Sequence, residues 1–439
     1  MQTPRQLIDS HPISGLQYAV LGLCILLNVF DGYDVVSISY TAPTIAEAWS
    51  VPPEQLGIIF SASLAGMTLG AVALAPFTDT IGRRRMIIFA LALDTIGMIA
   101  TAYATSVMQL VAWRFVTGLG IGAMLASLTA LVAEYAPARR RNLLIAILQA
   151  GYPVGATGGG FLAAWLIPIY GWQSVFMVGG IASAVVLVII AVMLPESLDF
   201  LSRKRPAGGL DHANRILGKM KLPKLERWPD IAEVSTQSHP GALFAAAFRS
   251  RTLFLWTAFF FSFMTLYFIL SWLPKIVVDL GYSQPEGLTA GIYFNAGAII
   301  GVVGLGWLAD RMSLRLLIAA FLAIGGGTMV MLGLLTSELA MILGLAFVIG
   351  IFVDGGFAGL YAVAARLYPT EVRTTGIGWA IGLGRLGGIA GPYLGGLAFA
   401  SGWDLPVVMV AFAAPLALAA LAVMAIRLSD ERGANAPTG

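Results

Sequence analysis

Charge is what this sequence has least of. Only 11% of its 439 residues are Asp, Glu, Lys or Arg, against 58% hydrophobic, where an ordinary soluble domain carries roughly 25% charged residues. A water-soluble fold of this length could not cover itself. The single cysteine, Cys24, excludes an intrachain disulfide, and its place in an apolar run makes it a small packing residue rather than a reactive thiol. Histidine is nearly as scarce: His11, His212 and His239 all fall in polar segments. There is no His-Glu-x-x-His pattern and no Ser/His pair within an apolar run, which argues against zinc-type or nucleophilic hydrolysis. No cofactor, no metal and no catalytic residue is implied, so the chain does not read as an enzyme.

What abounds is uninterrupted apolar length. Runs near 17–42, 55–77, 84–104, 107–133, 142–166, 172–194, 252–276, 287–309, 315–335, 338–362, 374–399 and 403–427 can each cross a hydrocarbon core of about 30 Å as a helix. Within lipid every backbone group must be paired, leaving helices or a closed barrel. Runs this long lack the two-residue alternation of barrel strands. The expected class is therefore an all-α polytopic membrane protein of twelve transmembrane helices. The first run has no basic stretch before it and no small-residue cleavage site, so it reads as a retained helix rather than a signal peptide.

The few basic residues are sorted. With the N-terminus placed in the cytoplasm, all of the 26 Lys and Arg except Lys275, Arg114 and Arg385 fall in cytoplasmic segments. The positive-inside rule then puts both termini in the cytoplasm, as an even span count requires. This placement accounts for the basic excess without a nucleic-acid partner; the partner expected by composition is a lipid bilayer, around a monomer.

One long polar stretch, about 195–250, separates six runs from six, with a short helix expected near Asp211–Met220. The expected organisation is 1–194, a cytoplasmic connector 195–250, and 251–439. The halves repeat: Asp79-Thr-Ile-Gly82-Arg83-Arg84 matches Asp310-Arg311-Met-Ser313-Leu-Arg315 at an offset of 231 residues. Tyr135-Ala-Pro137 through Arg141 matches Tyr368-Pro369-Thr-Glu371-Val-Arg373 at an offset of 232. Copies separated by an even number of spans share an orientation, as in transporters built from two parallel halves.

Asp79, Gly82, Arg83 and Arg84, with Arg114, Gly118, Gly120 and Gly122 in the fourth span, resemble the major facilitator superfamily over essentially the whole chain. The sequence departs from that pattern by Ala75 and Ser313, where glycine is usual. The resemblance implies an MFS fold of two pseudo-symmetric six-helix halves. Carboxylates and arginines beside helix ends can form a charge-assisted latch on the cytoplasmic side. The candidates for that gate are Asp79, Gly82, Arg83, Arg84, Glu134, Asp310, Arg311, Arg315, Arg366, Glu371 and Arg373.

Other charges do not repeat. Asp31 and Asp34 correspond to Phe263 and Leu266, Arg114 to Ala346, Arg385 to Pro153 and Asp354 to a position near Gly122. A charge at mid-bilayer costs roughly 2.5–3.5 kcal/mol and usually faces a partner or a cavity. Charges found in one half only point to a one-sided task. Asp31 and Asp34 stand three apart on one helix face, and two close carboxylates in low dielectric favour reversible protonation; the alternative is capping at an irregularity near Gly32. Arg114 can sit against a carboxylate, as part of proton coupling or as a static interhelical pair. Asp94 has no partner on its own helix face and is assigned a structural role.

The run Asp31-Gly32-Tyr33-Asp34, with Tyr368 through Arg373 and Gly378-Trp379 to Arg385, resembles the aromatic acid:proton symporter family within that superfamily. Family resemblance implies import of aromatic carboxylates such as benzoate, hydroxybenzoate or gentisate together with protons. Arg385, a permanently charged fork, is then the candidate for the substrate carboxylate, or it pairs with Asp354. Tyr33 and Trp379 are candidates to stack on the substrate ring, and Asp354 to bear on substrate choice. A proton-driven exporter and an importer of non-aromatic anions are the alternatives. The fifth span, with Gly151, Pro153, Gly155 and Gly158–Gly160, only partly matches the exporters' motif.

Overall fold

Apolar runs whose ends carry the breaking and capping residues fold as helices. The computed structural model describes residues 3–228, 243, 249–309, 311–335, 338–368 and 370–426, with the side chains of 142 and 370–374 also left undescribed. Asp310 therefore lies outside the described residues, as do the side chains of Glu371 and Arg373.

Among the described residues, ten spans are long and apolar enough to cross a membrane: Gly15–Trp49, Pro53–Ile81, Arg83–Ala102, Val107–Tyr135, Gln173–Met193, Arg249–Asp279, Gln284–Leu308, Leu314–Leu334, Leu339–Leu367 and Leu405–Ala425. The helices Arg141–Tyr170 and Thr370–Ala400 complete the twelve expected from the sequence. They are numbered here as spans 1 to 12 in chain order, Arg141–Tyr170 being span 5 and Thr370–Ala400 span 11. The connector holds a helix at Gly209–Lys219, as expected, and a second at Leu198–Lys204.

Local chemistry sets several ends. Gly82 adopts a φ of +100° between spans 2 and 3, a conformation costly for any residue with a Cβ. Ser283 and Glu286 form a capping box at the start of span 8. Two spans carry a π-helical turn, Gly70–Leu74 in span 2 and Gly350–Asp354 in span 10.

The chain forms two compact units, one of Met1–Ser37, Ala65–Gly159 and Ile169–Val234, the other of Ile38–Leu64, Gly160–Pro168 and Ser235–Gly439. In the first, span 1 crosses span 5 with almost nothing between them. A Cβ at Gly32 would collide with the Tyr152 backbone, and one at Gly155 with that of Val29. Gly32 thus serves close packing in an unbroken helix, not an irregularity.

In the second unit, Phe268 stacks on Phe412 at 3.7 Å, Thr265 Oγ1 donates to the Phe412 carbonyl at 2.7 Å, and Trp272 Nε1 donates to the Pro392 carbonyl at 3.0 Å. The internal repeat has a physical counterpart in each unit. Arg84 donates to the Ala191 carbonyl at the end of span 6, at 2.5 Å, and Arg315, 231 residues later, donates to the Ile426 carbonyl at the end of span 12, at 2.6 Å. Each guanidinium satisfies carbonyls that a helix end leaves unpaired.

Candidate functional site

Four charges meet inside the first unit. Arg114 in span 4 is wholly buried and Asp34 in span 1 nearly so. Arg114 Nη1 donates to Asp34 Oδ1 at 2.7 Å, and Nη2 to Asp34 Oδ2 at 3.2 Å and to the Asp34 main-chain carbonyl at 3.0 Å. The Phe176 ring lies 5.6 Å from the guanidinium carbon. A two-point grip of this kind fixes both orientation and charge.

Asp31, one helical turn before Asp34, is equally buried, and its Oδ2 has no hydrogen-bond partner among the described residues. Its electrostatic neighbours are Asp94 and Asp34. Asp94, in span 3, accepts from Ser183 Oγ at 3.0 Å through Oδ2, while its Oδ1 is also unpartnered among the described residues. Ser183 Oγ in turn accepts from Thr95 Oγ1 at 3.0 Å. Asp94 is within electrostatic range of Asp34 and Arg114.

The cluster therefore holds three carboxylates around one guanidinium, with the one cation committed to Asp34. Buried charge without a partner is costly, so such a set can bind and release protons. The sequence reading gave Asp94 a structural role, having found no partner on its own helix face; the fold brings it into range of Asp31, Asp34 and Arg114. The repeat did mark it, since its counterpart is near Gly326. Tyr33 stands beside the cluster, but its hydroxyl is engaged, donating to the Val175 carbonyl at 2.6 Å.

A second constellation lies in the second unit. Phe263 and Tyr267, one turn apart in span 7, lie parallel with centroids 5.8 Å apart. Phe357 of span 10 stands edge-on to Phe263 at 4.6 Å, and Tyr361 edge-on to Phe259 at 5.3 Å and to Phe357 at 5.6 Å. Span 11 comes against these rings through glycine: a Cβ on Gly384 would meet Phe263 and Phe259, and one on Gly388 would meet Tyr267.

Between those glycines sits Arg385, in the electrostatic neighbourhood of Tyr361, as are Asp354 and Tyr267. Arg385, Asp354, Tyr267, Phe357 and Tyr361 are all half-buried. Neither Arg385 nor Asp354 makes an ion pair or hydrogen bond among the described residues, with each other or with another group. Trp379, the ring six residues before Arg385, stacks instead on Trp256 at 6.1 Å and stays exposed.

The basic-loop residues tie spans 3, 4 and 6 together within the first unit. Arg83 pairs with Glu134 at 2.7 Å, and Ser197 Oγ donates to Glu134 Oε2 at 2.5 Å. Glu196, which the sequence reading passed over, accepts from the Arg84 and Ser197 main-chain N–H groups at 3.1 and 2.9 Å and abuts Gly82. Its signal was a carboxylate at the end of span 6, in the Pro195-Glu196-Ser197 run. Asp79 is exposed and has no ion pair among the described residues. In the second unit Arg311 lies over the Trp307 ring at 3.8 Å, and Arg366 is exposed.

Comparison with known proteins matches residues 24–343 and 305–439 to the Major Facilitator Superfamily. A gallate transporter of Pseudomonas putida is 35% identical over 421 residues, covering 95% of this chain and 93% of that protein. A 4-hydroxybenzoate transporter of Pseudomonas aeruginosa is 32% identical, covering 95% and 94%. A benzoate transport protein of Acinetobacter baylyi is 30% identical, covering 96% and 90%. Among solved structures, a bacterial homolog of the human lysosomal transporter Spinster, in an inward-facing and occupied conformation, aligns with a TM-score of 0.74. The alignment is 17% identical and covers 94% of this chain and 97% of that one, a likeness of fold.

Proposed function

The chain belongs to the major facilitator superfamily, a family of membrane transporters rather than enzymes, and from that premise we propose that it imports aromatic carboxylates with protons. The observation that carries the substrate is Arg385, a half-buried guanidinium without an ion pair among the described residues, in the electrostatic neighbourhood of Tyr361, whose ring belongs with those of Phe357, Phe263 and Tyr267 to one aromatic wall. A guanidinium offers a planar fork for a carboxylate, and the rings offer faces and edges to a benzene ring. The names of the relatives point the same way. The buried set of Asp31, Asp34, Asp94 and Arg114 supplies the proton-handling side.

In this reading the protonated, anion-loaded carrier reorients, and release of both on the inner side resets it. The two sequence halves, 1–194 and 251–439 joined by 195–250, are the moving parts. The loop charges Arg83, Glu134 and their neighbours form the cytoplasmic gate, with the Asp310, Arg311, Arg315, Arg366, Glu371 and Arg373 region as its second-half counterpart. Both termini lie in the cytoplasm of a bacterial inner membrane, and the carrier is a monomer.

The test is uptake of a panel of labelled aromatic acids by cells expressing the protein, with and without a protonophore. Uptake that the protonophore abolishes supports the reading. Clearance of the acids from the cells would instead mark an exporter, and indifference to every acid would remove the aromatic substrate.

A further inference from the structure

Arg385 and the ring wall account for a benzene ring and its carboxylate. They leave Asp354 without a task. Benzoate carries nothing for a second carboxylate to bind, and an ionised carboxylate can only accept hydrogen bonds.

The placement of Asp354 is built, not incidental. It ends the π-helical turn Gly350–Asp354, a feature that shifts the phase of the residues following it and recurs at functional sites. Phe357 and Tyr361 follow at three and seven residues, on the same helix face, and both belong to the ring wall. Val353 and Gly355 on either side are buried, whereas Asp354 keeps an open surface. It has no ion pair or hydrogen bond among the described residues, and the Tyr361 side chain feels both it and Arg385. The wall is thus bordered by one guanidinium and one carboxyl group, neither in an ion pair among the described residues.

Resting on the reading of this site as an aromatic-carboxylate site, we infer that Asp354 accepts a hydrogen bond from a phenolic hydroxyl on the substrate ring, so that the carrier selects hydroxylated aromatic acids over benzoate. Arg385 takes the carboxylate, the rings take the face and edge of the substrate, and Asp354 takes the hydroxyl. No bond is made or broken; the selection is one of binding. A half-buried acceptor shut off from water by the bound ring and left empty by benzoate would lose its solvation without replacement, which makes the discrimination asymmetric. A charge-assisted hydrogen bond of this kind should separate the two substrates by about tenfold or more in KM.

The experiment measures competition by unlabelled acids against uptake of labelled 4-hydroxybenzoate or gallate. The competitors are benzoate, 4-hydroxybenzoate, 3,4-dihydroxybenzoate and 4-methoxybenzoate, the last of which keeps the ring oxygen and loses the donor. In the wild-type protein the hydroxylated acids should compete about tenfold or more better than benzoate, and the methyl ether should rank with benzoate. In Asp354→Leu, and to a lesser degree in Asp354→Asn, the ratio of hydroxylated acid to benzoate should fall toward one. A methyl ether that competes as well as the phenol in the wild-type protein overturns the inference without any variant. So does a ratio that survives Asp354→Leu. Wild-type protein that takes up none of these acids fails the underlying reading instead, and benzoate uptake without hydroxyl preference fails this inference alone.

Discussion

Replacing Asp34 with Asn removes one charge from the centre of the buried cluster and leaves the helix packing around it in place. The Asp34 carboxylate takes two guanidinium contacts from Arg114, at 2.7 and 3.2 Å, and the main-chain contact at 3.0 Å survives the substitution. Breaking a buried pair by removing one partner costs about 3–5 kcal/mol, because the other charge is left uncompensated. Here the loss is softened. Asp94 is within electrostatic range of the guanidinium and has an unpartnered oxygen among the described residues, so it can ionise and take over the cation. The variant should fold, and on the proposed reading it should lose the proton exchange that drives accumulation.

Coupling is read in proteoliposomes with the acidic side outside, protein-free vesicles being subtracted to remove passive entry of the neutral acid. One unit of pH is worth about 1.4 kcal/mol per coupled proton, or about tenfold in concentration. Wild-type protein should reach about that ratio for each proton. Asp34→Asn should stop near equal concentrations while still exchanging internal for external substrate. A correctly inserted Asp34→Asn protein that accumulates substrate like the wild type would refute the coupling role of the pair.

Asp94→Asn keeps an oxygen for Ser183 and so preserves the fold. Accumulation driven by the pH gradient should fall while exchange persists, and undiminished accumulation would return Asp94 to a structural role. Arg385→Ala should weaken apparent affinity for aromatic carboxylates about tenfold or more, with Arg385→Lys intermediate because the charge stays and the fork is lost; equal affinity in both would remove Arg385 from the site. Gly155→Val should lower the Tm of the purified protein in detergent, since overpacking a tight contact costs about 1–3 kcal/mol and the new Cβ would strike the Val29 backbone. Gly158→Ala, with open space around it, is the control, and matching Tm values would mean that span 1 does not lie closely on span 5.

Much of this was legible in the residues, and for physical reasons. Lipid forces each span to satisfy its own backbone, so hydropathy alone gave twelve helices. The offset of about 231 separated repeated loop charges from unrepeated ones, and Arg84 and Arg315 do hold equivalent helix ends. The same ruler singled out Asp31, Asp34, Arg114, Arg385 and Asp354. What stayed hidden depended on which faces of different helices meet. Nothing in span 3 says that Asp94 faces Asp31, and Glu196 looked like a loop residue until its contacts with the Arg84 and Ser197 backbone were seen. The ring wall is drawn from spans 7 and 10, whose aromatics were indistinguishable in sequence from ordinary packing. Trp379 shows the reverse: proximity in sequence to Arg385 did not bring it into that wall, because six residues along a helix turn it about 120° away from Arg385.

Direct measurement of proton movement tests the central claim of coupled import most closely. Wild-type protein in weakly buffered proteoliposomes, without any imposed gradient, would be given external gallate or 4-hydroxybenzoate while external pH and labelled uptake are recorded together. Substrate entry should alkalinise the medium in step with uptake, beyond the change in protein-free vesicles and absent in Asp34→Asn. Uptake of the label by the wild-type protein with no pH change above that background would contradict the account.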